Sequence, residues 1–550
     1  MNLFWRTIKA FSKKEKIIAS VLLIVFLGSV YSVLLGSPSG SGIGNAKAYS
    51  EGVVGEIQHL NPVFTEFSEA DTEVCSLIFS GLVKYNSATQ KFEEDLATHT
   101  LSKDQLTYTF TLKNDLYWQD GTEITGDDLY FTFAEVIQSP EFANPILKSN
   151  FDGVEIELVD SRTISFTLNS KNSFFFTGMT VGILPHHILG EVPVSELDTH
   201  EFNKLPVGSG PYMAADSYEI LPDGATSVSL TVNPLYYGEI PSMENIRFMA
   251  YPSVTQLVDN RSSWHGAARI RQSQLDEIKD LDELVSYQYE LPQYTALFFN
   301  TDSAILGAQK ARLGVSKVIN KAEILEAIGY KVQIDTPLLE LNQDEWLHTH
   351  DLEEAGGALF DAGWSLAEDA IYRTDSEGET MSLRLIRRDF SGVNELQEEI
   401  ISMAAHLIQE QLQEAGIAVE IEVYSITELQ DIITNRDFDM LLYGQSLGYN
   451  LDTFAYWHSS QATESGLNLS NYQNAKADFY LENIRGTFDD DEKQENLESL
   501  AEIIAADVPA VFLYTPSYYY LQDVKVTGFS FEKLLHPRDR FANIAAWIFN

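Results

Sequence analysis

The sequence predicts an α/β fold, and three observations predict it. Several stretches alternate apolar and polar residues with period two, the pattern of a half-buried strand. Others carry apolar residues three and four apart, the pattern of an amphipathic helix. The two kinds interleave along the chain, which is the order of an α/β architecture.

The elements follow in order. Residues 1–16 form a basic segment, with Arg6, Lys9, Lys13, Lys14 and Lys16 against Glu15. Residues 17–36 (IIASVLLIVFLGSVYSVLLG) carry no charge, and their length matches a bilayer core at about 1.5 Å per residue. The cations keep the N-terminus cytoplasmic and put the rest outside. A cleaved signal peptide is the competing reading. The apolar run is longer than such peptides use, and the A-x-A match at Ala46–Ala48 lies well beyond it. The expectation is therefore an uncleaved signal anchor, giving a single-pass protein of the cell membrane with an extracytoplasmic body at the cell surface or in the periplasm. Residues 37–48 begin with a Gly/Ser tether, and the folded body starts near Tyr49. Residues 108–113 (YTFTLK), 163–168 (TISFTL) and 228–232 (VSLTV) read as strands. Residues 395–416 read as a helix, with Leu396, Ile400, Ala404, Leu407, Ile408 and Leu412 on one stripe and Gly416 as its stop. A strand at 417–424 follows. Leu497, Leu500, Ile503 and Ile504 mark a further helix, and 511–514 a buried strand. No repeat of 20–50 residues is present, which excludes a solenoid or propeller.

Composition narrows the function. The chain has 550 residues, 81 acidic against 36 basic, and a net charge of -45. That length supports several domains, and the 44% hydrophobic fraction excludes a disordered chain. The acidic balance argues against nucleic acid as a partner. The single cysteine, Cys75, excludes a disulfide framework and multi-cysteine metal sites, and it reads as a small buried residue.

Catalytic patterns are sparse. Gly444-Gln-Ser446-Leu-Gly448 fits the G-x-S-x-G elbow of a serine hydrolase after a strand-like stretch. The residues after it are turn-like, however, and only His536 lies far enough along the chain to serve as base. His186 and His187 are adjacent and cannot share one helical face. His348 and His350 have no third ligand nearby. No Walker A or G-x-G-x-x-G sequence occurs. The expectation is a protein that is not an enzyme and holds no cofactor or metal.

A resemblance then becomes specific. Residues 121–132 (GTEITGDDLYFT) resemble the DG-x-x-x-T-A-x-D-V-x-F-T signature of family 5 extracellular solute-binding proteins, the oligopeptide-, dipeptide- and nickel-binding components of ABC importers. Further segments match in family order: 207–212 (VGSGPY), 233–238 (NPLYYG), Phe299-Asn300, 415–420 (AGIAVE), 437–440 (DFDM) and 509–514 (PAVFLY). Together they span roughly residues 50–530. Independently, the first segment is helix-onset chemistry, with Thr125 as cap and Asp127 and Asp128 in the first turn.

The resemblance implies a two-lobed periplasmic-binding-protein-like fold of the class II type, with an inserted third subdomain. The first lobe would comprise 49–80, 206–295 and 517–550, the insertion 81–205 and the second lobe 296–516. Tyr294, Asn300, Thr515 and Tyr520 would mark the hinge crossings. The implied function is binding of a peptide or similar solute and its delivery to permease subunits of an ABC transporter. A metal chelate or a sugar is the alternative solute, and a signalling scaffold the alternative class. Peptide binders of this family usually place an Asp against the ligand's amino terminus, and Gly448 stands at or near that position here. Asp452, four residues on, either takes over that role or is a turn residue. Tyr449, Asn450, Asp452, Trp457, His458 and Tyr472 are the ligand-site candidates, because aromatic and polar residues on loops suit a small-ligand cleft.

Overall fold

Strand pairing builds the body around two sheets. The computed structural model describes residues 49–550 apart from 66–67, 276, 279–280, 342, 347–348, 392–393 and 465. The basic segment, the apolar run 17–36, the tether and His348 lie outside the described residues. Among the described residues no helix is long and apolar enough to cross a membrane.

The first sheet has eight strands. At its centre Tyr49–Val54 runs parallel to both neighbours, Asn245–Tyr251 and Gly266–Ile270. Thr226–Val232 and Tyr212–Ala214 extend one side, with Glu219–Ile220 also paired to Thr226–Val232. Ser517–Asp523 and Leu284–Glu290 extend the other. A separate antiparallel sheet lies within residues 81–205, in the order Ala97–Leu101, Thr107–Leu112, Thr163–Thr167, Glu155–Asp160. Its alternation is as expected: Tyr108, Phe110 and Leu112 are buried, and one apolar core runs through this sheet and the first. Thr125 opens a short helix, and Asp128 Oδ2 accepts the Thr125 N–H at 2.8 Å in a capping box.

The second sheet has five strands, in the order Ala418–Tyr424, Ser382–Arg388, Met440–Ser446, Gln293–Phe299, Ala510–Tyr514. The first two are parallel, and parallel neighbours need a crossover. The helix Glu395–Glu414 supplies it. Asn394 caps this helix at Gln397 N, Gly416 follows its end at φ 83°, and Ile400, Ala404, Ile408 and Leu412 are buried. Successive residues of one strand serve opposite faces. Leu297 and Phe299 enter one core, Ala296 and Phe298 the other. Both faces of this strand are therefore buried.

The chain changes sheet at Leu291 and Pro292, and returns at Thr515 and Pro516. A proline at each crossing removes a ladder donor and stops the strand from running on. Thr515 Oγ1 donates to the Leu291 carbonyl at 3.4 Å and joins the two crossings. This shifts three of the four expected crossing residues. Tyr294 and Asn300 lie inside or just after the strand Gln293–Phe299, and Tyr520 lies within Ser517–Asp523. Their side chains make internal bonds. Tyr294 donates to Gln445 Oε1 at 2.6 Å, and Asn300 donates to the Arg436 and Phe438 carbonyls at 3.0 Å each.

A buried charge cluster closes the first sheet. Arg540 is 0% exposed. It donates to Glu51 Oε1 at 2.7 Å and to Glu73 Oε2 at 2.5 Å. Tyr49 donates to Glu51 Oε2 at 2.6 Å. The cluster links the first strand, the helix Glu69–Ile78 and the last segment of the chain. Burial pushes the Glu51 carboxyl up, with Arg540 opposing that shift.

Candidate functional site

Between the two sheets lies a cavity of about 1280 Å3. The first sheet's side contributes Glu69 and Glu73 from the helix Glu69–Ile78, Arg269 from the strand Gly266–Ile270, and residues 535–539. The inserted segment contributes residues between 144 and 182, and the second sheet's side contributes residues 446–449, 452 and 454–456 with Arg485.

Two turns aim the side chains. On the first wall, Arg269 has φ 60° where the register slips between Ala267 and Ile270. This left-handed conformation is uncommon for a non-glycine residue and is held by its context. The Arg269 N–H donates to Tyr289 Oη at 3.1 Å, its guanidinium pairs with Glu69, and its Cζ sits 5.5 Å from the Tyr518 ring centre. On the second wall, the strand Met440–Ser446 ends in a tight turn with Gly448 at φ 61° and Leu451 at φ 46°. The turn presents Tyr449 and Asp452 to the cavity.

Tyr449 crosses to the first wall. Its ring meets His536 edge-on at 4.2 Å, and its hydroxyl donates to Asp539 Oδ1. Arg538 Nε donates to the Tyr449 oxygen at 3.0 Å, with its Cζ 5.0 Å from the ring centre. Asp539 Oδ2 accepts the backbone N–H groups of Leu535 (2.9 Å) and His536 (2.7 Å). Burial raises the Asp539 carboxyl against the opposing pull of Arg538. Burial also pushes the His536 imidazole down to about 3, with Arg538 and Arg269 adding to the shift, so the ring is neutral at neutral pH.

Asp452 lines the cavity and is bonded within it. Arg485 donates to Asp452 Oδ2 through Nε (2.9 Å) and through an η nitrogen (2.5 Å). Asp452 Oδ1 accepts the Phe454 N–H at 3.0 Å, and Arg485 Cζ lies 3.8 Å over the Phe454 ring. The carboxylate is both a turn residue and half of an ion pair.

Three of the expected ligand residues are not on the cavity wall. Trp457 is buried in the second sheet's core against Phe298 and Phe512. Tyr472 is buried there too and donates to Asp507 Oδ2 at 2.7 Å. His458 stacks on Phe454 at 4.1 Å and bonds Ser460 Oγ through Nδ1 at 2.8 Å. Large apolar surface draws the Trp457 and Tyr472 rings inward, and Phe454, Ala455 and Tyr456 line the cavity in their place. The side chain of Asn450 lies outside the described residues. Conversely, Glu69, Arg269, Arg538 and Asp539 escaped the sequence reading, and His536 entered it only as a distant base. No local pattern marks them, because long chain returns bring them together.

Ser446 ends its strand on the cavity wall and is followed by a short 3-10 turn, Gly448–Asn450. No hydrogen bond joins its hydroxyl to His536. His187 bonds Asp120 through Nε2 at 2.8 Å. Among the described residues no group of three or more His, Cys, Asp or Glu side chains is placed to hold a metal ion. Cys75 is buried, as its apolar neighbours imply.

Two sheets joined by two crossings around a cavity define a two-lobed binding protein. The family described as "Bacterial extracellular solute-binding proteins, family 5 Middle" matches residues 91–466, and the chain belongs to it. The "Oligopeptide-binding protein AppA" of Bacillus subtilis (strain 168) is 25% identical over 580 residues, covering 96% of this chain and 98% of its own. Two solved structures share the fold. NikZ from Campylobacter jejuni in complex with Ni(L-His) has a TM-score of 0.72 at 22% identity and covers 91% of this chain and 99% of its own. AppA from Bacillus subtilis in complex with a nonapeptide has a TM-score of 0.67 at 22% identity, covering 92% and 99%.

Proposed function

We propose that the chain is the extracytoplasmic substrate-binding component of an ABC importer, which closes on a peptide or peptide-like solute and delivers it to permease subunits. The observation that carries this reading is the cavity of about 1280 Å3, lined from the sides of both sheets, which two crossings join among the described residues. In this reading 49–80, 206–295 and 517–550 form the first lobe, 81–205 the insertion and 296–516 the second lobe. Hinge motion centres on residues 291–292 and 515–516. Residues 17–36 anchor the body to the membrane, with residues 1–16 in the cytoplasm. Tyr449 and Asp452 contact the solute or hold the walls that do, with Trp457, His458 and Tyr472 supporting their loop from behind. The peptide assignment draws on the likeness to oligopeptide-binding AppA.

The test is mass spectrometry of small molecules released by denaturing the purified full chain, after incubation with a mixed peptide digest. A ladder of short peptides supports the reading. A single non-peptide mass moves the solute to the second reading, a metal chelate or a sugar, of which the chelate draws on the fold shared with NikZ bound to Ni(L-His). A stable protein partner with no small molecule overturns both in favour of a scaffold.

A further inference from the structure

Gly448 leaves a niche at the floor of the cleft. A Cβ built there meets only His536 Nε2, at 3.8 Å. Arg269 and Arg538 line the same cavity, and both act on the charge of His536. The carboxylates beside them are turned to internal partners: Glu69 to Arg269, and Asp539 to Tyr449 and two backbone N–H groups. The donors differ. The Asp539 N–H donates to the His536 carbonyl at 3.1 Å, which leaves the His536 ring, with one N–H in its neutral form, facing the niche through Nε2. The Arg269 ε-N–H is buried with no acceptor among the described residues. A buried donor without an acceptor is costly, and a ligand oxygen removes that cost.

We infer that the Gly448 niche receives a carboxylate of the solute, so that the bound solute points its negative end, and not its ammonium group, at Arg269, His536 and Arg538. This rests on the peptide reading above. A carboxylate from a peptide C-terminus and one from an acidic side chain share the chemistry, and the test separates them.

The probe is a short peptide library without Asp or Glu, offered to the full chain in free, N-acetylated and C-amidated forms, with retained masses counted. The expected result is that N-acetylation is tolerated, whereas C-amidation weakens retention by about 10- to 100-fold, the loss of one charge-assisted contact. A C-amidated library carrying one Glu identifies the source. Restored retention assigns the niche to a side-chain carboxylate, and no restoration assigns it to the C-terminus. Retention of the amide with loss of the N-acetyl form overturns the inference and leaves the peptide reading standing. Retention of no form overturns the peptide reading itself.

Two variants sharpen the result. Arg269→Gln should weaken the N-acetylated library by about tenfold and leave the amidated one unchanged. Gly448→Asp fits the open space, and Asp accepts the left-handed conformation at this position. It should reverse the preference toward the amidated form, and an unreversed preference in folded Gly448→Asp counts against the niche.

Discussion

The Tyr449 hydroxyl donates to Asp539 Oδ1, and the two residues belong to opposite walls of the cleft. Tyr449 follows the last residue of a second-sheet strand by three positions, and Asp539 lies in the C-terminal segment that packs under the first sheet. The bond therefore reports on how the two walls meet, and Arg538 and His536 reinforce it from the same side.

Tyr449→Phe keeps the ring contacts and removes the donor. A hydrogen bond to a charged group contributes about 1.5–3 kcal/mol, so the closed arrangement should weaken by that order. Small-angle scattering of the ligand-free variant should show a larger radius of gyration, and retained peptides should dissociate faster. Unchanged scattering and dissociation would remove the bond from closure.

His536 makes stability depend on pH. Its folded-state pKa is about 3 against an ordinary 6.5, so folding favours the neutral ring. That contribution is fully present above about pH 6.5 and is lost as pH falls from 6.5 toward 3. Between pH 7 and pH 5 the loss is about 2 kcal/mol. His536→Asn removes the titration and leaves the backbone bond from the Asp539 N–H to the carbonyl of residue 536 in place, so its urea midpoint should fall less over that range than the wild type's. Parallel slopes would contradict the assignment.

Asp452 and Arg485 should behave as one unit. The pair is partly exposed on the arginine side, so breaking it costs less than a fully buried pair, about 1–3 kcal/mol. Asp452→Asn and Arg485→Gln should each lower unfolding stability by that order, and the double variant by clearly less than their sum. Simple additivity in urea titrations would show that the two do not couple.

The Arg540 cluster gives the largest expected effect. Arg540→Met leaves Glu51 and Glu73 buried without a cation, which costs about 3–5 kcal/mol. Adding Glu51→Leu and Glu73→Leu should restore much of that loss, because the charges are then gone. A single variant as stable as the parent would mean that the cluster contributes nothing net.

Elements with one solvated face were legible in the sequence. The strand Thr107–Leu112 alternates, and the helix Glu395–Glu414 shows its stripe and its cap, because water on one side forces a polar residue at each outward position. The strands Gln293–Phe299 and Met440–Ser446 do not alternate, since Ala296, Leu297, Phe298 and Phe299 are all buried. Periodicity carries no signal where both faces are apolar. The same physics misplaced Trp457 and Tyr472: an aromatic on a loop reads as a contact residue until the core that covers it is seen. The loop bearing Tyr449 and Asp452 was legible because one short segment supplies it. Its counterpart of Arg269, His536 and Arg538 comes from two segments on either side of the second sheet in sequence, and no local pattern joins them.

The Arg540 cluster also sets a timetable. Glu51 and Arg540 are 489 residues apart. At a synthesis rate of about 5–20 residues per second, some 25–100 s separate the appearance of the carboxylate from that of its guanidinium. Every strand of the second sheet lies between residues 293 and 514, so that half emerges as one uninterrupted piece and has all its partners earlier. The first sheet must wait, its opening strand lacking the neighbour Gly266–Ile270 at first and the Ser517–Asp523 layer beyond it until near the end. Nascent chains halted before Arg540 should therefore hold a protease-resistant second half and a cleavable beginning, an order of folding opposite to the order of the sequence.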